Sequence, residues 1–222
     1  MANSKPERHK QPGVLQCNHG GEKIAAFVSI PKNASKSVLD ILELGANRDH
    51  DDTTSLVIYE NHQRAAVLAR KYNLAELFVF CFARNPYSRC ISWYQYHRKH
   101  EFYRSMSFDQ WIKAGMPHHW QVQNETNYQR ANLSPLLQYT FVEEYKIDFI
   151  GQIETFDRDL KIIIYRLNEL YADRGINHRF CHATRWLNSS FSSQQGAYFT
   201  AETKGIVREL LARDFEFFGY EP

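Results

Sequence analysis

The sequence predicts a single α/β domain built on a central parallel sheet with helices on both faces. From residue 23 onward, short apolar runs typical of buried strands alternate with stretches of helical periodicity. One run, "ELFVFCFA" at residues 76–83, is apolar almost throughout, as expected of a strand covered on both faces. With 222 residues, 43% of them hydrophobic and 23% charged, the chain can form one sizeable core. Residues 1–22 are polar and predict a flexible arm before a domain of residues 23–222.

The predicted elements alternate between strand and helix, and this order implies parallel strands joined by right-handed crossovers. Asn85 suits the N-cap of the third helix, and Pro86 suits its first position. Residues 101–138 are aromatic and rich in histidine with weak periodicity, which predicts short helices and loops. The elements are strands 23–30, 55–59, 76–83 and 146–154, and helices 35–44 (ended by Gly45), 62–72, 86–99, 156–170 and 200–215 (capped by Thr200).

Composition limits the classes of partner and compartment. The formal net charge of +2 is far below the basic excess of duplex-binding proteins, so we expect no nucleic-acid partner and only a local positive field. No apolar run approaches the roughly 20 residues that span a bilayer, and the N-terminus lacks the apolar core of a signal peptide. We therefore expect a cytoplasmic protein. Its cysteines form no CxxC pair, which predicts reduced thiols; they are Cys17, Cys81, Cys90 and Cys181.

The stretch "SIPKNASKS" follows the first predicted strand and has the composition of an anion-binding loop. At the carboxyl end of a parallel strand, the following helix offers unpaired N–H groups and the positive end of its dipole. Residues 33–37 would supply those N–H groups, and two lysines would supply charge. The stretch is not a Walker A loop, because the sequence contains no Gly-Lys dipeptide. The alternative is a plain strand-to-helix turn with two solvated lysines.

A second candidate anion site follows the third strand. A Walker-type nucleotidase needs an acidic residue at the end of such a strand to hold Mg²⁺, whereas here the strand runs into Arg84. Ser88 and Ser92 follow at helical steps of four, and Arg89 lies three residues before Ser92. Two anion sites at adjacent strand ends suit a ligand with phosphates at both ends of an adenosine. The alternative is that both arginines make structural ion pairs and Ser92 only packs.

Together the two stretches resemble a known family. "IPKNASKS" resembles the 5′-phosphosulfate loop, and "RNPYSRCISWY" the 3′-phosphate motif, of sulfotransferases that use 3′-phosphoadenosine 5′-phosphosulfate (PAPS), in particular the Golgi-type carbohydrate sulfotransferases. The spacing of eight from Arg84 to Ser92 is the family's spacing. "IDFIGQIETFDRDL" and "YFTAETKGIVRELLARDFEFFGY" are also similar to family segments. The resemblance covers most of residues 24–220, most weakly 102–145, and implies the P-loop-like sulfotransferase fold.

The resemblance implies roles for particular residues. Lys32 would stabilise charge on the leaving phosphate, and Arg84 and Ser92 would hold the 3′-phosphate. The family usually has Thr or Ser where this chain has Lys36. The sequence shows no N-terminal membrane anchor like that of the Golgi members, which argues against a Golgi address and a glycosaminoglycan substrate. The residues expected to contact the 5′-phosphosulfate are Lys32, Asn33, Ala34, Ser35, Lys36 and Ser37.

The expected base is His62. It follows the second strand near the same sheet edge, and "NHQRAA" resembles the segment that carries the catalytic histidine in several family members. The alternative is a histidine that bonds only to local backbone. His97, His100 and Glu125 are the reserve candidates.

These inferences predict an O-sulfotransferase that moves a sulfuryl group from PAPS to a hydroxyl of a carbohydrate or similar small acceptor, leaving 3′,5′-adenosine bisphosphate. The alternative is a non-catalytic protein that binds the nucleotide. The chemistry needs no metal, because lysine and N–H groups can stabilise a sulfuryl group in transfer. "HRFCH" at residues 178–182 and the pair His118-His119 lack a complete set of four zinc ligands, so surface histidines are the better interpretation.

Overall fold

A computed structural model describes residues 23–42, 57–60, 62–117, 137–177, 179–180 and 198–222. Within these residues the strands form one parallel sheet in the order β2-β1-β3-β4. Ala25 of β1 pairs with Val57 of β2 and Phe78 of β3, and Phe80 of β3 pairs with Phe149 of β4. The predicted parallel sheet is therefore confirmed. The strands are β1 (Ala25–Val28), β2 (Val57–Tyr59), β3 (Phe78–Ala83) and β4 (Phe149–Gln152).

The described helices agree with the predicted alternation. Asn85 caps α3 as predicted, because its side chain accepts hydrogen bonds from Tyr87 N and Ser88 N and Pro86 takes the first helical position. Thr200 caps α7 by accepting from the N–H of Thr203. The helices are α1 (Ser35–Ile41), α2 (Ala65–Ala69), α3 (Pro86–His97), α4 (Glu101–Arg104), α5 (Phe108–Lys113), α6 (Phe156–Asp173), α7 (Ala201–Leu210) and α8 (Ala212–Phe218).

Several predicted boundaries were wrong. Helix α2 begins at Ala65 rather than at residue 62, because His62 has a φ of 54° and therefore cannot continue a right-handed helix. The last predicted helix, 200–215, is two helices that meet at Leu211. The residues just before β3 and just after β4 form 3-10 helices, at Leu74–Glu76 and Ile153–Thr155. Gly45, the arm 1–22 and residues 118–136 lie outside the described residues.

The two faces of the sheet pack into separate clusters. Phe27, Phe80 and Phe82 face α1 and α6, where they meet side chains such as Leu160 and Ile163. Because successive strand residues point to opposite faces, the alternate residues pack on the other side. These alternate residues include Ala26, Val28 and Cys81, which pack with Leu68 and Phe141. The strand β3 is therefore buried on both faces, as predicted.

A third cluster of aromatic residues joins α3 to α5, α7 and α8. Trp93 and Trp111 are its largest buried members, and Cys90 and Phe215 pack with them. Cys81 and Cys90 are free thiols and are buried, which confirms the prediction for these two; Cys17 and Cys181 lie outside the described residues. In the described part of the chain, no helix combines the length and apolar character that crossing a membrane requires.

The fold brings three strand ends together. The strands β1, β2 and β3 are parallel neighbours, so their carboxyl ends lie at one edge of the sheet. They lead into Ser29, Glu60 and Arg84. The candidate site is built on these three connections.

Candidate active site

The loop from β1 to α1 has an unusual backbone. Lys32 and Ala34 both have positive φ, of 68° and 56°. The N–H of Asn33 between them donates to the carbonyl of Ile30 at 3.3 Å. The left-handed region costs a residue with a Cβ about 1–2 kcal/mol, so the rest of the structure must hold this loop in place.

Three side chains provide that support. Arg89 Nε donates to the carbonyl of Pro31 at 3.1 Å, and Arg84 Nη1 donates to the carbonyl of Lys32 at 3.3 Å. Asn33 Nδ2 donates to the carbonyl of Phe82 in β3 at 2.6 Å. The loop after β1 is therefore tied to the end of β3 and to the start of α3.

The Lys32 ammonium lies in a positive field. Its Nζ is 4.6 Å from the ring centroid of Tyr96 and 5.8 Å from that of Trp93. Burial lowers the pKa of Lys32 to about 8. The charged side chains that lower it further are all cations, namely Arg84, Lys99, Arg89 and Lys36. Like charges gathered at one place are the electrostatic signature of an anion site, because a bound anion removes their mutual repulsion.

Both arginines of the site are buried. Arg84 is 8% exposed and Arg89 is 1% exposed. Burial lowers the pKa of Arg84, while Glu154 raises it. Burial likewise lowers the pKa of Arg89, to about 10, and the carboxylate of Asp214 opposes that shift. Among the described residues, Arg84 Nε is fully buried and has no hydrogen-bond partner, so one N–H donor of this guanidinium is left unsatisfied inside the protein.

His62 has a defined tautomer. Its Nδ1 lies 3.0 Å from the carbonyl oxygen of Ser29 and 3.3 Å from the hydroxyl of the same residue. Because a carbonyl only accepts, Nδ1 must carry the proton, and Nε2 then has the basic lone pair. Burial lowers the pKa of His62; the bond to Ser29 opposes this shift, whereas Arg89 and Lys32 reinforce it. The imidazole is therefore neutral at pH 7 and able to accept a proton.

The loop residues predicted to bind the nucleotide divide into two groups. Ser35 Oγ donates to Ile30 O at 3.2 Å and accepts from Ser29 Oγ, so its hydroxyl is used within the loop. The N–H groups of Asn33 and Ser37 donate to backbone carbonyls. For these three residues the structure shows a role in shaping the loop. The second group consists of Lys36, which is exposed, and of the backbone N–H groups of residues 34–36. The N–H groups of these three residues come before that of Ser37, which makes the first hydrogen bond of α1.

Ser92 and the reserve bases have clear positions. Ser92 is buried in α3, and within the described residues no hydrogen bond joins it to Arg84. His97 is fully buried and donates from Nδ1 to the carbonyl of Trp93, so it belongs to the aromatic core. His100 follows α3 and packs edge-on against Tyr96, with ring centroids 6.0 Å apart. Glu125 lies outside the described residues.

Two residues of the site were given no role from the sequence. Gln138 is fully buried, and its side chain hydrogen-bonds to Asn33 and to the backbone of Arg84. Asp214 is also fully buried and accepts hydrogen bonds from the N–H groups of Gln138 and Tyr139. Gln138 lies in a stretch with weak periodicity that gives no signal for a buried side chain. Asp214 lies in the closing segment that resembles the family, but nothing in that segment indicates that its carboxylate is buried and holds Gln138.

No group of three or more His, Cys, Asp or Glu side chains suited to a metal ion occurs among the residues with a described position. His118, His119, His178 and His182 lie outside those residues.

The chain matches a family model over most of its length and individual proteins more weakly. Residues 21–221 match the model of a family described as the sulfotransferase family. An uncharacterised protein of Archaeoglobus fulgidus is 27% identical over 89 residues, which are 40% of this chain and 66% of that relative. The crystal structure of mouse sulfotransferase SULT7A1 complexed with PAP aligns with a TM-score of 0.48 and 14% identity, covering 88% of this chain and 84% of the mouse chain.

Proposed function

Because the chain belongs to the sulfotransferase family, we propose that it transfers a sulfuryl group from PAPS to a hydroxyl of a carbohydrate or similar small acceptor. The observation that carries this proposal is the pairing of a cation and a base at one sheet edge. The Lys32 ammonium lies close enough to His62 to lower the pKa of its imidazole, and the neighbouring cations make this edge of the sheet positive. Such an edge suits a sulfuryl transfer, in which negative charge builds up on the leaving phosphate and the acceptor hydroxyl loses a proton.

The reaction is an in-line displacement at sulfur. A bond forms between the acceptor oxygen and sulfur while the bond from sulfur to the bridging phosphate oxygen breaks, and the electron pair of that bond stays on the phosphate. Negative charge therefore builds up on the leaving phosphate, where a fixed cation stabilises it more than in the ground state. Lys32 is our candidate for that cation.

The acceptor hydroxyl must lose its proton during the attack, because its pKa is far above 7. His62 Nε2 is our candidate for the atom that takes this proton. The bond from Nδ1 to Ser29 holds the ring with Nε2 as the acceptor, and the lowered pKa keeps that nitrogen unprotonated at pH 7. The neighbouring cations Arg89 and Lys32 disfavour a positive charge on His62 until an anion is bound.

We assign the two phosphates of the nucleotide to different strand ends. The loop after β1, with Lys32 and the N–H groups of residues 34–36, would hold the 5′-phosphosulfate. Arg84 after β3 would bind the 3′-phosphate with its remaining N–H donors, and Ser92 would assist from α3. Lys36 adds a positive charge where a hydroxyl is usual, so it would strengthen the electrostatic attraction for the nucleotide while the contact of that hydroxyl is lost.

The second candidate is a protein that binds the nucleotide without catalysis. The exposed lysine at position 36 favours it, because a charge in place of a hydroxyl changes how the phosphosulfate is held. The two candidates make the same prediction for nucleotide binding and differ only in whether a sulfated product forms.

Two measurements test the proposal. In thermal-shift assays, 3′,5′-adenosine bisphosphate should raise the melting temperature clearly more than ATP with Mg²⁺ does. Equal or better stabilisation by Mg-ATP would contradict the sulfotransferase site. The protein is then incubated with PAPS and panels of saccharides, phenols and lipids, and sulfated products are detected by mass spectrometry. Nucleotide binding without any product across the panels would favour the non-catalytic candidate.

A further inference from the structure

The side chain of Gln138 connects the two anion sites. Its Oε1 accepts hydrogen bonds from Asn33 Nδ2 at 2.6 Å and from the N–H of Arg84 at 2.8 Å. Its Nε2 donates to the carbonyl of Arg84 at 2.7 Å. One buried amide therefore bonds to the loop after β1 and pairs with both backbone groups of the residue that follows β3.

Gln138 is itself fixed from behind. Asp214 in α8 accepts from the N–H of Gln138 at 2.9 Å and from the N–H of Tyr139 at 2.8 Å, one bond to each carboxylate oxygen. Both Gln138 and Asp214 are fully buried. The oxygen and the nitrogen of the Gln138 amide both have hydrogen-bond partners. Any shift of this side chain would leave a buried polar group without a partner in a region of low dielectric, so the network holds one arrangement.

The position of this network matters for a ligand with two phosphates. Asn33 belongs to the loop assigned to the 5′-phosphosulfate, and Arg84 is assigned to the 3′-phosphate. Two phosphate sites add fully to the affinity for one ligand when the distance between them already matches the ligand before it binds. If the sites must first be rearranged, part of the interaction energy is lost in ordering them. Gln138 hydrogen-bonds to both, so it can fix that spacing.

We propose that Gln138 is a positioning residue that sets the distance between the two phosphate sites and so makes the protein select nucleotides that carry both a 3′- and a 5′-phosphate. This inference rests on the proposed function, and it assigns the selectivity to a side chain that need not contact the nucleotide.

The test compares two ligands and three proteins. The ligands are 3′,5′-adenosine bisphosphate and adenosine 5′-monophosphate, and the readout is the ratio of their dissociation constants from calorimetry. The variant Gln138→Met keeps the length of the side chain but removes its hydrogen bonds. The matched control is Asn168→Leu, because Asn168 in α6 makes the same kind of amide pair with the N–H and carbonyl of Phe180.

In the wild-type protein the bisphosphate should bind more tightly than the monophosphate. We expect Gln138→Met to reduce this preference about tenfold, a loss of about 1.4 kcal/mol in discrimination, while affinity for the monophosphate changes little. Asn168→Leu should lower stability but keep the wild-type ratio. If Gln138→Met does not fold, Gln138→Asn, which keeps the amide one methylene shorter, should show a reduced ratio.

The outcomes separate the inference from the proposed function. A wild-type protein without preference for the bisphosphate would overturn the 3′-phosphate site and the inference with it. A wild-type preference that persists in the Gln138 variants would overturn only the inference. An equal loss of preference in Asn168→Leu would also overturn it, because the effect would then follow general destabilisation.

Discussion

Lys32 combines a functional charge with an unfavourable position. The residue is half-buried, its pKa is lowered to about 8 by burial and by neighbouring cations, and its backbone has a φ of 68°. At pH 7 it is charged in both the folded and the unfolded protein, and the folded environment disfavours that charge. The residue therefore lowers the stability of the unliganded protein.

We expect Lys32→Met to lower turnover by about 10²–10³ and to raise the melting temperature of the unliganded protein at pH 7. The gain in stability should shrink above pH 8, where the folded wild-type protein loses this proton while unfolded lysine keeps it. The control is Lys36→Met, at an exposed position in the first turn of α1, which should change stability little. Turnover within a few fold of wild type, without a higher melting temperature, would identify Lys32 as a solvated loop lysine.

His62 should determine the acidic limb of the pH–rate profile. Burial lowers its pKa below the ordinary 6.5, so activity should fall as the pH decreases through a midpoint below that value. His62→Ala should lower turnover by about 10²–10⁴, remove this limb and leave nucleotide affinity nearly unchanged. The profile of kcat/KM is measured for the wild type, His62→Ala and His100→Ala. Loss of the limb in His100→Ala alone would assign the base to His100 instead.

At the scale of elements, the close contact of β4 with β3 restricts one position to glycine. A Cβ at Gly151 would lie 2.5 Å from Cε1 and 2.8 Å from Cδ1 of Phe82. The Phe82 ring is buried and packs on Phe156 with ring centroids 4.9 Å apart, so it has little room to move. The carbonyl of Phe82 also accepts the bond from Asn33 that supports the loop. Packing between the two strands is thus linked to the shape of the site.

Gly151→Ala should destabilise the protein by about 1–3 kcal/mol, the usual cost of forcing extra volume into a packed core. The matched control is Gly205→Ala in α7, where an added Cβ meets nothing within 4 Å. That substitution should stabilise the protein by about 0.5–1 kcal/mol, because alanine favours the helix. Urea unfolding of both variants gives the two free energies. A Gly151→Ala protein as stable as wild type would mean that Phe82 can move away.

At the scale of the whole molecule, the net charge of +2 conceals a local concentration of positive charge. The cations near Lys32 come from the first turn of α1, the end of β3, and α3 with the turn that follows it. A nucleotide with two phosphates would stabilise the charged form of Lys32 and so raise its pKa. Binding should therefore be coupled to proton uptake.

We expect the affinity for 3′,5′-adenosine bisphosphate to decrease as the pH rises above 8, by up to about tenfold per pH unit for one proton taken up. At pH 7 Lys32 is already protonated in the unliganded protein, so little uptake should occur. Calorimetry in buffers with different ionisation enthalpies measures the number of protons. Lys32→Met should bind more weakly and lack this uptake, and equal wild-type affinity at pH 7 and pH 9.5 would contradict the coupling.

The sequence by itself determined the order of strands and helices, the parallel sheet, and the strand ends that carry Lys32, His62 and Arg84. These features can be recognised within short segments of the sequence. The spacing of apolar residues shows which face of an element is buried, and the residues that follow show where the element ends. The N-caps at Asn85 and Thr200 were predictable for the same reason, since a cap depends on residues two or three positions away.

The tertiary structure alone decided how those residues are held. Gln138 reaches Asn33 across 105 positions of sequence and Arg84 across 54, and no periodicity encodes a contact over such a separation. The positive φ angles of Lys32, Ala34 and His62 likewise have no signature in residue type, because none of the three is glycine. Such conformations persist only when the packed surroundings supply bonds that outweigh their local cost, and those bonds exist only once the strands have assembled.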